Sequence, residues 1–138
     1  FFLAHREAAN NWDLVDVTVP KVVGDFLFRH PEKRGALFEL FSSENLWSRR
    51  MAVLSTWTFI RKGFFDEIFG LARASFGDRR DLIQKSVGWM LREVGKQNER
   101  ALTGFLRENA HAMPRTMLRY SIEKFSPEMR KKFLSAKK

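Results

Sequence analysis

The sequence predicts an all-α protein, specifically an α-solenoid of antiparallel helix pairs of the tetratricopeptide or HEAT kind, that occupies residues 1–138 as one domain. Apolar residues recur at helical spacing through most of the chain, whereas β-branched residues never alternate over a length typical of a strand. The chain also lacks the Asn-Gly and Asp-Gly pairs that favour hairpin turns. Finally, similar segments recur at the spacing expected of stacked helix pairs.

The repeated segments are residues 50–53, 84–87 and 119–122, separated by 34 and then 35 positions. Each contains a small residue followed by a β-branched residue, a pair that lets neighbouring helices approach closely. We therefore expect the first helix of each pair to stack beside the next, with the outward faces forming one concave surface. An unrelated helical bundle could produce the same spacing by chance.

Turn and capping signals divide the chain into helical segments. Pro20 either interrupts a helix or starts a new one, Asn45 can cap a helix, and Gly63 favours a helix end. We predict helices over residues 1–9, 12–19, 20–29, 33–41, 46–61, 65–75, 81–96, 99–108 and 114–125, and from 127 onward.

The segment 81–96 carries the clearest functional pattern. It opens on a capping-type Asp81 and carries apolar residues at helical spacing, namely Leu82, Val87, Met90, Leu91 and Val94. Another face carries residues at i, i+4, i+7 and i+11, which are Lys85, Trp89, Arg92 and Lys96. An indole flanked by cations on one helix face indicates a ligand with negative charge and flat rings.

The neighbouring helices carry further cations. Segment 46–61 has Arg50, Trp57 and Arg61 at i, i+7 and i+11, and segment 114–125 adds Arg115 and Arg119. These residues could be ordinary solvated side chains whose aliphatic stems pack on neighbouring helices. Alternatively, they line a groove that follows a phosphate backbone.

The composition fits the second interpretation. With 25 Lys+Arg against 16 Asp+Glu, the formal net charge is +9, which favours a polyanion such as nucleic acid or an acidic membrane surface. A generally basic protein without such a partner is the alternative. No Cys is present and the three histidines lie far apart, so we expect no metal and no cofactor. No apolar run is long enough for a bilayer, and we expect a cytoplasmic monomer.

A second pattern lies near the N-terminus, where Trp12 and Asp16 share a helix face at i, i+4. A carboxylate beside an indole in so basic a chain could lie at the centre of the cationic groove. The ordinary interpretation assigns Trp12 to the core and Asp16 to a salt bridge.

Four blocks resemble DNA alkylation repair glycosylases of the AlkD type. They are residues 12–16 (WDLVD), 46–53 (LWSRRMAV), 85–93 (KSVGWMLRE) and 113–120 (MPRTMLRY). The resemblance runs from about residue 10 to 133. It implies a curved stack of HEAT-like repeats around duplex DNA, and a chain that lacks the N-terminal repeats and corresponds to the C-terminal part of a longer protein.

By this resemblance, the enzyme hydrolyses the N-glycosidic bond of positively charged alkylated purines such as 3-methyladenine and 7-methylguanine. Trp12 and Trp89 match the tryptophans that contact the lesion's sugar and backbone. Asp16 matches the catalytic carboxylate, and Arg50 matches the arginine that holds the DNA backbone. Ser86 stands where a small Ala is common.

Two other functions remain open at this stage. A non-catalytic helical-repeat module that binds a nucleic-acid backbone needs only the cations and leaves Asp16 without a role. A protein-binding solenoid would use the same charge for an acidic partner.

Overall fold

The computed structural model describes residues 12–135, with side chains from residue 20 onward. Within that part of the chain we number eight α-helices, and no strand occurs there. The helices are α1 (Trp12–Arg29), α2 (Gly35–Phe41), α3 (Leu46–Arg61), α4 (Asp66–Ala74), α5 (Asp81–Gln97), α6 (Glu99–Asn109), α7 (Arg115–Ser121) and α8 (Pro127–Leu134). The all-α prediction is confirmed.

The helices form two layers. In the first layer α1, α3, α5 and α7 lie side by side in chain order, each in extensive contact with the next. The second helices of the pairs pack against this row, with α2 on α3, α4 on α3 and α5, α6 on α5, and α8 on α7. This is an α-solenoid of helix pairs, as the sequence predicted.

The repeated segments explain why the first helices can stack so closely. Their small residues, Ala52, Ser86 and Ser121, are 0%, 2% and 1% exposed. The β-branched residue that follows each of them is also buried, at Val53, Val87 and Ile122. Ser121 satisfies its hydroxyl by donating to the Leu118 carbonyl within its own helix. The sequence repeat therefore marks the packed face of the first layer.

One glycine brings α5 and α7 into direct backbone contact. A Cβ added at Gly88 would lie 2.5 Å from the Cβ of Tyr120 and 2.7 Å from the carbonyl oxygen of Met117. Further along the same helices, Arg92 of α5 contacts Glu123, which lies just after the end of α7. Residues later in α5 therefore contact residues later in the α7 segment, so the two helices run parallel.

Side-chain caps set the starts of α3 and α6. The Asn45 side chain accepts from the backbone N–H groups of Trp47 and Ser48, and the Asn98 side chain accepts from that of Ala101. These bonds satisfy N–H groups that the first helical turn leaves without partners. After α3, Gly63 adopts a φ of 87°, which only glycine tolerates easily. The predicted cap at Asn45 and the predicted end of α3 are confirmed.

Pro20 does not divide the first segment as predicted, because α1 is continuous from Trp12 to Arg29. The cost of a proline inside a helix is offset by packing of α1 along α3. Asp25 of α1 accepts a hydrogen bond from Thr58 at 3.0 Å, and a Cβ on Gly24 would overlap the Ser55 carbonyl. Tertiary contact therefore overrides the local helix-breaking signal.

The start of α2 also differs from the prediction. Residues Pro31–Lys33 form a short 3₁₀ helix, and α2 begins at Gly35. Between them, the Arg34 guanidinium donates to the carbonyls of Leu27 and Phe28 at 3.4 and 3.1 Å. This side chain satisfies carbonyls at the end of α1, so residue 34 turns the chain instead of continuing a helix.

Two other predicted boundaries are corrected. Asp81 is the first residue of α5 and not its cap; Arg80 precedes it, and no side-chain capping bond forms there. Helix α7 ends at Ser121, whereas the sequence predicted residue 125. The apolar Ile122 and Phe125 are buried from a turn, in which Phe125 N–H donates to the Ile122 carbonyl at 2.9 Å. Their three-residue spacing suits a turn as well as a helix.

A partly buried ion pair joins α3 to the segment before α5. Arg49 Nη2 lies 3.0 Å from Asp78 Oδ2, and the Arg49 guanidinium packs over the Phe41 ring at 4.5 Å. Arg80 Nη2 also lies 3.0 Å from Asp78. The hydrogen bond from Arg80, with smaller effects from the charges of Arg80 and Arg49, lowers the pKa of Asp78. This cluster fixes the register between the second and third helix pairs.

Candidate functional site

A groove of about 230 Å³ lies where α3, α5 and α7 meet, and we call it the α5 groove. Among the residues whose side chains the structure describes, one from α3, five from α5 and one from α7 line it. They are Arg50, Leu82, Lys85, Ser86, Trp89, Arg92 and Tyr120.

The α5 residues lie on one side of that helix because they follow its three- to four-residue period. The opposite side of α5 is apolar and fully buried, with Val87, Met90, Leu91 and Val94 in the core. Three members of the predicted stripe, Lys85, Trp89 and Arg92, therefore line a concave surface together. Leu82 had been grouped with the apolar residues of this helix, but it is 39% exposed and lies in the groove.

The indole of Trp89 has a fixed support. It packs against the core, and its ring centroid lies 6.0 Å from that of Trp57 at an interplanar angle of 52°. Trp57 comes from α3, so the two rings bridge adjacent repeats. Large aromatic rings in such contact lose little further freedom when a ligand binds. Trp89 is thus a rigid apolar surface among cations.

Arg50 reaches from α3 across to α5. Its Nε donates to the Ser86 hydroxyl at 3.2 Å, and that hydroxyl in turn donates to the Leu82 carbonyl at 2.8 Å. Arg50 makes at least one further interaction. An alanine at position 86 could make neither of these bonds. The serine hydroxyl therefore orients the arginine over the groove.

Carboxylates hold the cations of α5. Lys85 Nζ lies 2.8 Å from Asp81, and Arg92 Nη1 lies 2.6 Å from Glu123. The hydrogen bond and charge of Asp81, followed by Tyr120, raise the pKa of Lys85. Lysine therefore stays protonated across the physiological range. The Nε of Arg92 is buried, and it has no hydrogen-bond partner within residues 20–135.

Three predicted DNA-binding cations lie outside the α5 groove. Lys96 pairs with Glu93 at 3.1 Å, one turn beyond the groove. Arg115 is exposed and donates to the Leu134 carbonyl at 2.6 Å, and Arg119 is exposed on α7. The structure gathers Arg50, Lys85, Trp89 and Arg92 in one place and leaves these three apart. The role of all these cations in binding DNA stays a prediction.

Trp12 and Asp16 lie in the first half of α1, but their side chains fall outside the described part of the protein. Helix α1 packs beside α3, the helix that carries Arg50. The catalytic assignment of Asp16 and the contact role of Trp12 stay predictions.

Sequence reasoning missed Tyr120 as a groove residue. The repeat alignment contained a signal for it, since residues 84–87 align with residues 119–122 and place Tyr120 at the position of Lys85. Both residues line the groove. A search for groove residues by repeat position, instead of by charge, would have included the tyrosine.

Comparison with known proteins gives a consistent result. A family model described as DNA alkylation repair enzyme matches residues 1–125. A solved structure, described as a predicted DNA alkylation repair enzyme from Enterococcus faecalis, matches with a TM-score of 0.69 and 23% sequence identity. The match covers 91% of the present chain and 58% of that one, and at this identity it establishes the fold alone. No curated protein matches. Within the described residues, no helix has the length and apolar character to cross a membrane.

Proposed function

Because the chain belongs to the DNA alkylation repair enzyme family, we propose that the protein is a DNA glycosylase for positively charged alkylated purines in duplex DNA. The substrates would include 3-methyladenine and 7-methylguanine. The observation that carries this proposal is the α5 groove, where the Trp89 indole lies among Arg50, Lys85 and Arg92. Such a surface suits a nucleotide that combines phosphate with flat, cationic and sugar groups.

The cations would hold the phosphate backbone on either side of the lesion. Arg50 is fixed by Ser86, so its guanidinium group is oriented before DNA arrives. Arg92 pairs with Glu123 and would exchange that carboxylate for a phosphate. Arginine donates in a planar fork that matches phosphate oxygens. Orienting Arg50 in advance lowers the entropy that binding costs. Phosphate contacts of this kind position the DNA and do not read its sequence.

The bond-breaking step needs little help at the base. An alkylated purine already carries a positive charge, and it becomes neutral when it takes the electron pair of the C1′–N bond. Positive charge then develops on the sugar. A water molecule forms the new C1′–O bond and loses its proton to a carboxylate or to solvent. The products are the free alkylated base and an abasic site.

We assign the stabilisation of this sugar charge to Asp16. A carboxylate about 4 Å from the charge contributes roughly 1 kcal/mol in water and about 4 kcal/mol at an effective dielectric near 20. Since about 1.36 kcal/mol corresponds to a tenfold change in rate, Asp16 would supply about one to three decades. The indoles of Trp12 and Trp89 would add cation–π attraction of roughly 0.5–2 kcal/mol each.

The test is release of 7-methylguanine from alkylated duplex DNA by the full-length protein. Asp16→Asn should reduce release by about 10- to 1000-fold while binding to an abasic-site analogue persists. Asp66→Asn is the matched control, because Asp66 is an exposed aspartate in the first turn of α4, outside the groove. Equal rates in the wild-type protein and Asp16→Asn would refute the catalytic assignment.

A second candidate is a non-catalytic module that binds a nucleic-acid backbone. The groove favours it because its cations and its indole form a binding surface without any contribution from Asp16. In that case Arg92→Ala should weaken binding to undamaged duplex DNA and reduce its salt dependence. Arg107→Ala is the control, since Arg107 is an exposed arginine in the last turn of α6. This candidate requires that no base be released from any alkylated substrate.

A further inference from the structure

Tyr120 is the one residue of α7 among the described residues that line the α5 groove. Its position depends on Gly88, whose missing side chain lets the two helix backbones meet beside the tyrosine. The tyrosine is half-buried, whereas its neighbours Arg119 and Glu123 are exposed. The close contact therefore builds Tyr120 into the wall of the groove.

The direction of the Tyr120 side chain follows from helix geometry. Side chains of a helix lean toward its N-terminus, and α5 runs parallel to α7. Tyr120 therefore leans from the level of Gly88 toward the N-terminal end of α5, where Lys85 and Leu82 lie. The influence of Tyr120 on the pKa of Lys85 agrees with this placement.

This end of the groove has a distinct chemistry. Leu82 and the tyrosine ring give apolar surface, and Lys85 gives positive charge beside it. The Tyr120 hydroxyl makes no hydrogen bond to another residue in the described part of the chain. A deoxyribose has an apolar face and carries a phosphate on each side. Its ring would fit Leu82 and Tyr120, and its phosphate would accept from Lys85 and the phenol.

Distance along α5 separates this end of the groove from Trp89. Leu82 and Trp89 are seven residues apart, which is about 10 Å of helix. One nucleotide of a DNA strand advances only about 3.4 Å along the duplex axis. The groove is therefore long enough for more than one nucleotide, and its two ends meet different ones.

We propose that Tyr120 is a further DNA-contacting residue, which with Leu82 and Lys85 seats the sugar and phosphate of the nucleotide next to the lesion. This role rests on the proposed function, in which DNA is the ligand and Trp89 contacts the damaged nucleotide. Tyr120 is assigned to the undamaged neighbour. Tyr120 therefore affects how tightly DNA binds and how it is positioned, and does not affect departure of the base.

The chain contains a single tyrosine, which allows a direct test. In the full-length protein, 3-fluorotyrosine labelling gives a resonance that can be assigned to position 120 by its loss in Tyr120→Phe. Titration with a duplex that contains a tetrahydrofuran abasic analogue should shift or broaden that resonance. A tyrosine elsewhere in the full-length chain would keep its own signal in this variant and serve as an internal reference.

Substitution provides the second test. Tyr120→Phe keeps the ring and should weaken binding to the abasic duplex about 3-fold, because one hydrogen bond is lost. Tyr120→Leu should weaken binding about 10-fold or more, because the aromatic contact is lost as well. Base release at saturating DNA should change less than 3-fold in Tyr120→Phe, with the loss expressed in KM. Phe64→Ala is the control, because Phe64 is an exposed aromatic residue outside the groove.

These results separate the inference from the proposed function. If the fluorine resonance neither shifts nor broadens when DNA is added, and both Tyr120 variants bind DNA as the wild type does, the role of Tyr120 is overturned even if base release is normal. A signal that responds to DNA in a protein that releases no base would support Tyr120 and refute the glycosylase. A loss in Tyr120→Phe that appears only at saturating DNA would also contradict the inference, because it would place the phenol in the chemical step.

Discussion

Replacing Gly88 by alanine tests the close contact on which the groove depends. The new Cβ would lie 2.7 Å from the Met117 carbonyl oxygen, 0.7 Å short of the 3.4 Å at which ordinary contact begins. Backbone cannot rotate away as the tip of a side chain can, so α5 and α7 must separate. Such overpacking costs about 1–3 kcal/mol, and the better helix propensity of alanine returns about 1 kcal/mol.

We therefore expect Gly88→Ala to lower the free energy of unfolding by up to about 2 kcal/mol and the melting temperature by up to roughly 8 °C. Urea unfolding followed by circular dichroism measures this change. Two other helical glycines serve as controls. A Cβ at Gly104 meets nothing within 4 Å, so Gly104→Ala should stabilise by about 0.5–1 kcal/mol.

The second control is Gly95 in the same helix as Gly88. Its added Cβ would meet Leu102 Cδ2 at 2.7 Å, but that atom is the end of a flexible side chain and can move. Gly95→Ala should fall between the other two variants. A Gly88→Ala protein as stable as Gly104→Ala would refute the helix contact, and with it the placement of Tyr120 in the groove.

Three further predictions concern polar contacts. Asp78→Asn should lower the free energy of unfolding at pH 7 by about 2 kcal/mol, because Arg49 stays largely buried without its carboxylate. The Asp78 carboxylate contributes its full stabilisation of the folded state above its ordinary pKa of 3.8, and this contribution is lost as pH falls through the lowered pKa. The variant lacks this contribution and should therefore lose less stability than the wild type in acid. Asn45→Ala should cost about 1 kcal/mol by removing the α3 cap. Glu123→Gln should change stability by less than about 1 kcal/mol, since Glu123 is 54% exposed, and should raise DNA affinity a few-fold by releasing Arg92.

Each of these three predictions would be contradicted by a specific result. Coincident stability curves for wild type and Asp78→Asn between pH 3 and 7 would show that the ion pair contributes nothing. Unchanged unfolding of Asn45→Ala by urea would mean that water replaces the cap without cost. Weaker DNA binding by Glu123→Gln in fluorescence anisotropy at fixed salt would show that Glu123 orients Arg92 for phosphate and does not compete with it.

The sequence predicted those parts of the fold that depend on neighbouring residues. The cap at Asn45 and the end of α3 at Gly63 are local events, so their signals lie within a few positions. Pro20 gave a local signal of equal strength, yet α1 continues through it because packing on α3 outweighs one lost hydrogen bond. The early end of α7 escaped prediction for a related reason, since a turn can bury Ile122 as well as a helix does.

In the candidate site, too, the sequence predicted the features set within one helix and did not predict those set by packing between helices. The positions of Lys85, Trp89 and Arg92 follow from the period of one helix, so sequence reasoning found them together. The place of Tyr120 depends on the register between α5 and α7, which a glycine contact sets and a charge pattern does not reveal. Ser86 was noted only as a departure from the family pattern, because its bond to Arg50 joins residues from two repeats.

Helix α5 carries the groove on one side and the core on the other, which has a consequence for redesign. Leu82 and Lys85 line the groove and are exposed, so they can be exchanged without touching Met90 or Leu91, and binding chemistry is separable from stacking at these two positions. A library at positions 82 and 85 should therefore yield folded proteins at high frequency. Variants from this library could then be screened for binding to nucleic acid, with Arg50 and Tyr120 left unchanged.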